Sequence, residues 1–392
     1  MHALPYLRAA TEVSDPWPSD PPPYHHDVSG QLFSVLVLMR VIACNAAYNE
    51  GGIGRVLATL VEDARRSGEL SAYYTTGARA NDAAAIEISL SRHRWLFRAT
   101  PLRASHAWRD YVGSELFDRA VARALKPGDE LTGFSGRVLR TFVRARALGY
   151  SRLVVEASTT HVANVRRRHA IATSRFGLEG SWLNDAQYRK TIREYEIADE
   201  IVVLSEYSRE SFLREGVPAA KLRRRIQRVA ARFAPPLSRP QRKGFTIVYV
   251  GRLQVTKGAI DLFDAFARID DRNAELLLVG GTATRAMERY VAQRAAADGR
   301  IRLCPGDPLP AFHRADVLAH PSYEDALALG PLEALACGVP VVVSEDTGMK
   351  EFVVEGETGY VVPTGDVAAL AAALRRVQEK PLAGALPEVC RA

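Results

Sequence analysis

FTIVYVGRLQVTKGAIDLFDAFARI, residues 245–269, passes from a nearly continuous apolar run through a basic, glycine-flanked loop into apolar residues at helical spacing. Strand, glycine loop and helix open a βαβ unit. The same alternation continues downstream with ELLLVG at 275–280 and a helix after it, IRLC at 301–304, DVLAHP at 316–321 and PVVVS at 340–344. Upstream it is found in EIVVLS at 200–205, followed by a helix through Arg214, in LVVEA at 153–157, and in FSVLVLMRVIACN at 33–45, whose following helix is read over 55–67. Short apolar strands alternating with helices build parallel sheets covered on both faces. Repetition over most of the chain predicts an α/β protein with two doubly wound, Rossmann-like sheets facing across a cleft.

The break between them is read in RFAPPLSRPQRKG at 232–244, where Pro235, Pro236 and Pro240 forbid a continuing helix or central strand. The 392 residues then divide into a disordered leader at 1–38, one domain at 39–235 and a second at 236–392. The leader reading rests on six prolines within the first 30 residues and on the lack of any hydrophobic period. Met39, just before the first strand, is an alternative start of translation.

Charge is unevenly placed. The formal net charge is +7, and between Arg214 and Lys243 stand ten basic residues against one acid, Glu215. Such a window fits a nucleic acid, a small polyanion, an anionic membrane face or a solvated basic linker. Cys44, Cys304, Cys337 and Cys390 are scattered with no CxxC, so neither a disulfide framework nor a zinc knuckle is expected and a cytoplasmic setting fits. The apolar run at 32–44 is broken by Arg40 and is too short to span a bilayer.

Four loops at predicted strand ends carry candidate chemistry. Asn49-Glu50-Gly51-Gly52-Ile53-Gly54 lets backbone amides approach an anion at a helix start, although a tight turn needs the same glycines. In Gly251–Gly258, GRLQVTKG, Arg252 and Lys257 form a cation pair suited to a diphosphate, or two ordinary surface cations. In the segment at 320–348, Gly330-Pro331 starts a helix with Glu333 in its first turn, where a carboxylate also serves as a plain helix cap. Glu324 and Asp325 lie one loop upstream. The fourth, STTH at 158–161, follows a strand, and a lone histidine there is commonly structural.

In order and spacing, GRLQVTKG, the segment from Glu324 to Val343, GMKE from Gly348 through Glu351 and TGYVVP at 358–363 resemble the nucleotide-sugar domain of retaining GT-B glycosyltransferases of family 4, the glycosyl transferases group 1. The likeness is looser over 39–198, where EGGIGRVLATL, GFSG at 133–136 and STTH match the acceptor half. The resemblance implies transfer of a hexose from a nucleotide diphosphate sugar to a glycan or lipid-linked acceptor, as in polysaccharide biosynthesis, with retention and with neither metal nor separate cofactor. It implies that Glu333 binds the ribose, Asp325 and the loop Ala326, Leu327, Ala328 and Leu329 the sugar, and Arg252 and Lys257 the diphosphate beside Gly251. Gly51 and Gly52 then admit donor and acceptor, and His161 reaches the transferred sugar.

Three departures qualify it. The family's Gly-Phe-Gly loop reads Ala326-Leu327-Ala328, narrowing the sugar pocket; the linker has no Asn-Gly turn; and only about fifteen residues follow the last predicted helix, 366–377. These motivate an alternative, a catalytically inactive sugar-nucleotide-binding partner subunit. A basic aromatic cluster, Arg92, Arg94, Trp95, Phe97, Arg98, Arg103, Trp108 and Arg109, fits either peripheral contact with an anionic membrane or a solvated helix face. No motif or aromatic platform supports nucleic acid as a partner.

Overall fold

The computed structural model describes residues 38–91, 105–238 and 244–391. The expected leader, but for its last residue, and the members of the basic aromatic cluster at 92–103 lie outside the described residues. In the first half the elements run β1 Arg40–Ala43, α1 Gly51–Arg66, β2 Leu70–Thr75, β3 Ala85–Glu87, α2 His106–Ala124, β4 Glu130–Phe134, α3 Leu139–Ala147 and β5 Arg152–Glu156. They continue as α4 Val162–Phe176, α5 Asp185–Ile197, β6 Glu200–Val203, α6 Glu206–Arg214 and β7 Leu222–Arg224. The second half runs β8 Thr246–Val250, α7 Ala259–Phe266, β9 Glu275–Val279, α8 Arg285–Ala297, β10 Ile301–Leu303, α9 Leu309–Phe312 and β11 Val317–His320. It ends with α10 Leu329–Ala336, β12 Val341–Ser344, β13 Gly359–Val362 and α11 Val367–Glu379.

The strand orders are β3-β2-β1-β4-β5-β6-β7 and β10-β9-β8-β11-β12-β13, and every strand pairing is parallel. These are two doubly wound Rossmann-like domains, as the alternation predicts. In each sheet the order reverses between the half's first strand and its fourth, at β1/β4 and at β8/β11. A crevice outside the strands' carboxyl ends opens at such a reversal.

Alternate strand residues supply the two faces of each sheet. Ile247 and Tyr249 enter one core of the second half while Val248 enters the other, and Val41 and Ala43 oppose Ile42 and Cys44 in the first. Fully buried aromatics such as Phe117, Phe142, Phe263 and Phe266 each contribute about 1.5–3 kcal/mol by leaving water. Helix stripes match these faces: Val56, Leu57, Val61 and Ala64 of α1 lie at spacings of one and two turns and are buried.

The two halves share packing. Ala172 of α4 joins the core built on α7, and Leu204, Val229 and Phe233 join the core beneath α10. The Val229 amide donates to the Cys390 carbonyl at 2.8 Å, so residues near 390 pack against the segment that follows β7. Two element starts differ from the sequence reading. α1 begins at Gly51 rather than near Arg55, because Gly51 at φ +62° turns the chain directly into the helix. α10 begins at Leu329, which puts Glu333 in the second turn and not the first. Among the described residues no helix is long and apolar enough to cross a membrane.

Candidate functional site

A cleft of about 450 Å³ lies at both strand-order reversals and is lined from both halves. From the first half come the start of α1, the turn after β4, the turn after β5 and α4; from the second come the loop after β8, the end of β11 and the start of α10.

Lys257 sits in the short turn between β8 and α7. Gly258, at φ +70°, ends that turn, and a Cβ on it would lie 2.0 Å from the Pro321 carbonyl oxygen, so only glycine lets the loop pass β11's exit. Lys257 Nζ donates to Asp325 Oδ2 at 2.7 Å and to the Glu324 carbonyl at 2.8 Å. Asp325 Oδ2 also meets His320 Nε2 at 3.2 Å. Burial alone would raise the Asp325 carboxyl, but Lys257 and His320 outweigh it and hold it well below the usual carboxylate range. Burial likewise presses Lys257 toward neutrality, and Asp325 and Glu324 more than reverse this, keeping it charged.

Glu333 is buried on α10, with Oε1 against Arg55 Nη1 of α1. Its Oε2 is buried with no protein partner. Burial pushes this carboxyl up to about 7 against the pull of Arg55. Arg252 stands exposed on the cleft wall and forms no ion pair among the described residues. Gly251, Leu327, Ala328 and Leu329 line the cleft beside it. Ala326 is instead buried behind the wall and offers its carbonyl to Ser205.

Two helix starts open here without a side-chain cap, α10 behind Ala328 and α1 behind Glu50. Their first amides are the unpartnered donors that an anion takes. Gly52 lines the cleft, and a Cβ on Gly51 or Gly52 would meet no atom within 4 Å, so both leave room. Gly54 differs, since its Cβ would lie 2.1 Å from the Ala47 carbonyl oxygen.

His161 does not enter the cleft lining. Its Nδ1 accepts the Ala163 amide at 3.2 Å as the N-cap of α4, and its ring packs edge-on against Phe212 and tilted against Tyr195. Burial holds it down to about 4, so it stays neutral. The histidines that line the cleft are His106, His169 and His320, of which His169 lies seven residues and thus two turns beyond Val162 on α4.

Arg55, Arg137, Glu156, Arg225 and His169 also line the site without having been singled out in the sequence. A signal existed for Arg55, which lies three residues past Gly52 and shares its helix face. Arg137 is held by Asn45 Oδ1, and its turn is fixed by the buried Glu194, which accepts the amides of Gly136, Val138 and Leu139. Among the described residues no group of three or more His, Cys, Asp or Glu is placed to hold a metal ion.

Residues 235–391 match the family model described as Glycosyl transferases group 1. The chain is 36% identical over 175 residues to a D-inositol 3-phosphate glycosyltransferase of Salinispora tropica, a match covering 41% of this chain and 36% of the relative. It therefore spans little more than a third of the length of that curated relative. Among solved structures, sucrose-phosphate synthase from Thermosynechococcus elongatus aligns with a TM-score of 0.65 at 20% identity, over 88% of this chain and 90% of that one. Anabaena Alr3699/HepE, solved with UDP-glucose, aligns with a TM-score of 0.59 at 16% identity over 87% and 90%. The fold is the two-domain GT-B arrangement.

Proposed function

We propose that the chain moves a hexose from a nucleotide diphosphate sugar to a glycan or lipid-linked acceptor, with retention of anomeric configuration and without a metal ion. The carrying observation is the convergence at one cleft of the Lys257–Asp325 pair, the unpaired Arg252 and the uncapped start of α10, with Glu333 buried just behind the lining, its Oε1 on the cleft residue Arg55 and its Oε2 partnerless. The match of residues 235–391 to the glycosyl transferases group 1 supports the same reading.

In this mechanism Glu333 Oε2 accepts a ribose hydroxyl. Arg252, Lys257 and the α10 amides hold the diphosphate. Asp325, oriented by Lys257 and His320, accepts a sugar hydroxyl. As the bond from the anomeric carbon to the phosphate oxygen breaks, its electron pair stays on the leaving diphosphate. Preorganised donors then act on that growing charge, each worth roughly 2.7–4 kcal/mol. The acceptor hydroxyl adds on the face from which the phosphate departs, and its proton passes to the departing phosphate oxygen. Gly52, His106, Asp110 and Arg137 border the acceptor side, while His161 has no part.

A thermal-shift screen of UDP-, GDP- and ADP-sugars identifies the donor, with the UDP sugars first because the Anabaena neighbour was solved with UDP-glucose. Lys257→Ala or Glu333→Ala is expected to lower transfer about 10²–10³-fold with the fold intact. A fully active double variant would sink the assignment. Stabilisation by a donor with no turnover would favour the inactive partner subunit instead. Cytoplasmic location and peripheral lipid contact near Trp108 and Arg109 complete the proposal, and equal sedimentation with anionic and neutral liposomes would dismiss the lipid contact.

A further inference from the structure

The loop that carries Asp325 is gripped on both sides by the first half of the chain. On one side the carboxylate of Glu324, a group the mechanism leaves unused, accepts from Thr160 twice through Oε1, at 2.9 Å from the backbone amide and 2.8 Å from Oγ1. Glu324, Thr160 and Asn164, which donates to Thr160 Oγ1 at 3.0 Å, are all buried. On the other side Ser205 Oγ donates to the Ala326 carbonyl at 2.6 Å while accepting the Ser208 amide as the cap of α6.

Gly348 makes the second grip possible. A Cβ there would stand 2.1 Å from the Ala326 carbonyl oxygen and 2.4 Å from Ser205 Oγ. The segment around Gly348 also returns to the same loop, with its amide donating to the Asp325 carbonyl at 3.0 Å. Glu351 then ties that segment to the first half by accepting the Tyr207 amide at 2.8 Å and Arg224 Nη2 at 2.9 Å.

We propose that Thr160 and Ser205 are positioning residues for the sugar-recognising loop: by clamping it on either side of Asp325, the first half sets where that carboxylate meets the sugar. This rests on the donor reading above. Neither residue is in the cleft lining, so both act through Asp325. The nucleoside diphosphate is held mainly by Glu333 and Arg252, which lie outside the clamped segment, whereas Lys257 meets that segment at the Asp325 carboxylate and the Glu324 carbonyl. The clamp therefore governs the sugar increment of donor binding.

The test compares Thr160→Val, Ser205→Ala and Gly348→Ala with the wild type in the full chain. Gly348→Ala removes no hydroxyl and needs no unusual backbone angle, so it wedges the Ala326 carbonyl and Ser205 apart while keeping the hydroxyl that caps α6 in the chain. Affinity is measured for the nucleoside diphosphate and for its sugar, alongside amide hydrogen exchange across residues 324–328. Expected are an affinity for the sugar nucleotide lowered about tenfold, the scale of one buried hydrogen bond, and an affinity for the bare diphosphate within about twofold. Faster exchange at 324–328 and recovery of both readouts in Thr160→Ser complete the expectation. Equal weakening of both ligands, or unchanged loop exchange in all three variants, would overturn the clamp. If the wild type binds no sugar nucleotide, the donor reading falls, and the exchange measurement still decides whether the loop is clamped.

Discussion

His161 and Lys257 show what a single residue reveals in sequence and what it hides. Lys257 lies in a strand-to-helix turn whose glycines are visible as letters, and its place in the cleft follows from that turn. His161 follows a strand in the same way, yet its ring turns inward to cap α4 between Phe212 and Tyr195. Whether a ring faces a cleft or a core is set by packing against α6, far along the chain, and no local spacing reports it. The grip of Thr160 on Glu324 spans 164 residues and is equally invisible. A prediction follows for His161. Its folded-state value of about 4 lies below the ordinary 6.5, so the unfolded chain binds the extra proton between those limits. Stability from this residue is complete above pH 6.5 and lost as pH falls toward 4, by roughly 3 kcal/mol. His161→Asn keeps a capping side chain and cannot titrate. Its melting temperature should fall less steeply than the wild type's between pH 6.5 and 4, with transfer at pH 7.5 within about threefold. A loss of transfer near that of Glu333→Ala would return His161 to the sugar.

At the scale of elements, strands with unbroken apolar runs were legible, and α7, α8 and α11 follow their apolar spacing. β2 (LSAYYT) and β4 (ELTGF) were not singled out, because hydroxyls, a glycine and a terminal carboxylate interrupt their hydrophobic pattern. Glu130 is buried in β4 all the same, paired with Arg40. The starts of α1 and α10 were displaced for a shared reason. Glycine and proline are tolerated among the first helical residues, where donors have no internal partner, so they do not mark the boundary sharply. Two glycines then separate structural from functional need. Gly258→Ala places a side chain at φ +70° and 2.0 Å from the Pro321 carbonyl oxygen, so stability should fall by more than about 1 kcal/mol and Lys257 should shift with it. Gly52→Ala meets nothing within 4 Å and improves helix propensity, so stability should hold or rise by up to about 1 kcal/mol. Donor or acceptor binding should nonetheless weaken, because the methyl group enters the cleft. Chemical denaturation beside ligand titration reads both, and an unaffected ligand affinity would make Gly52 a helix-start residue only.

Across the whole molecule, the two sheets and their cleft were legible from alternation, whereas the meaning of the charge was not. The +9 window between Arg214 and Lys243 looks in sequence like a strip of free cations. In the fold, Arg223 pairs with Glu200, Arg224 with Glu351, Arg225 with Glu156 and Arg232 with Asp307, the last through two bonds at 2.7 and 3.0 Å. Arg239, Arg242 and Lys243 lie outside the described residues. The acids that answer these cations come from elsewhere in the chain, so a window count could not find them. Burial then ranks the pairs. Arg225 and Glu156 have side chains 14% and 5% exposed, and removing the cation strands a carboxylate inside the cleft wall. Arg225→Ala should therefore cost about 3 kcal/mol or more, while Arg223→Ala, whose side chain is 51% exposed, should cost less than about 1 kcal/mol. Raising the salt should erase most of the Arg223 effect and little of the Arg225 effect. Denaturant unfolding at low and high ionic strength measures all four quantities. Equal, small and salt-sensitive losses at both sites would mean that the cations are a solvated strip after all, available to a polyanion, and the structural reading of the charge would fail.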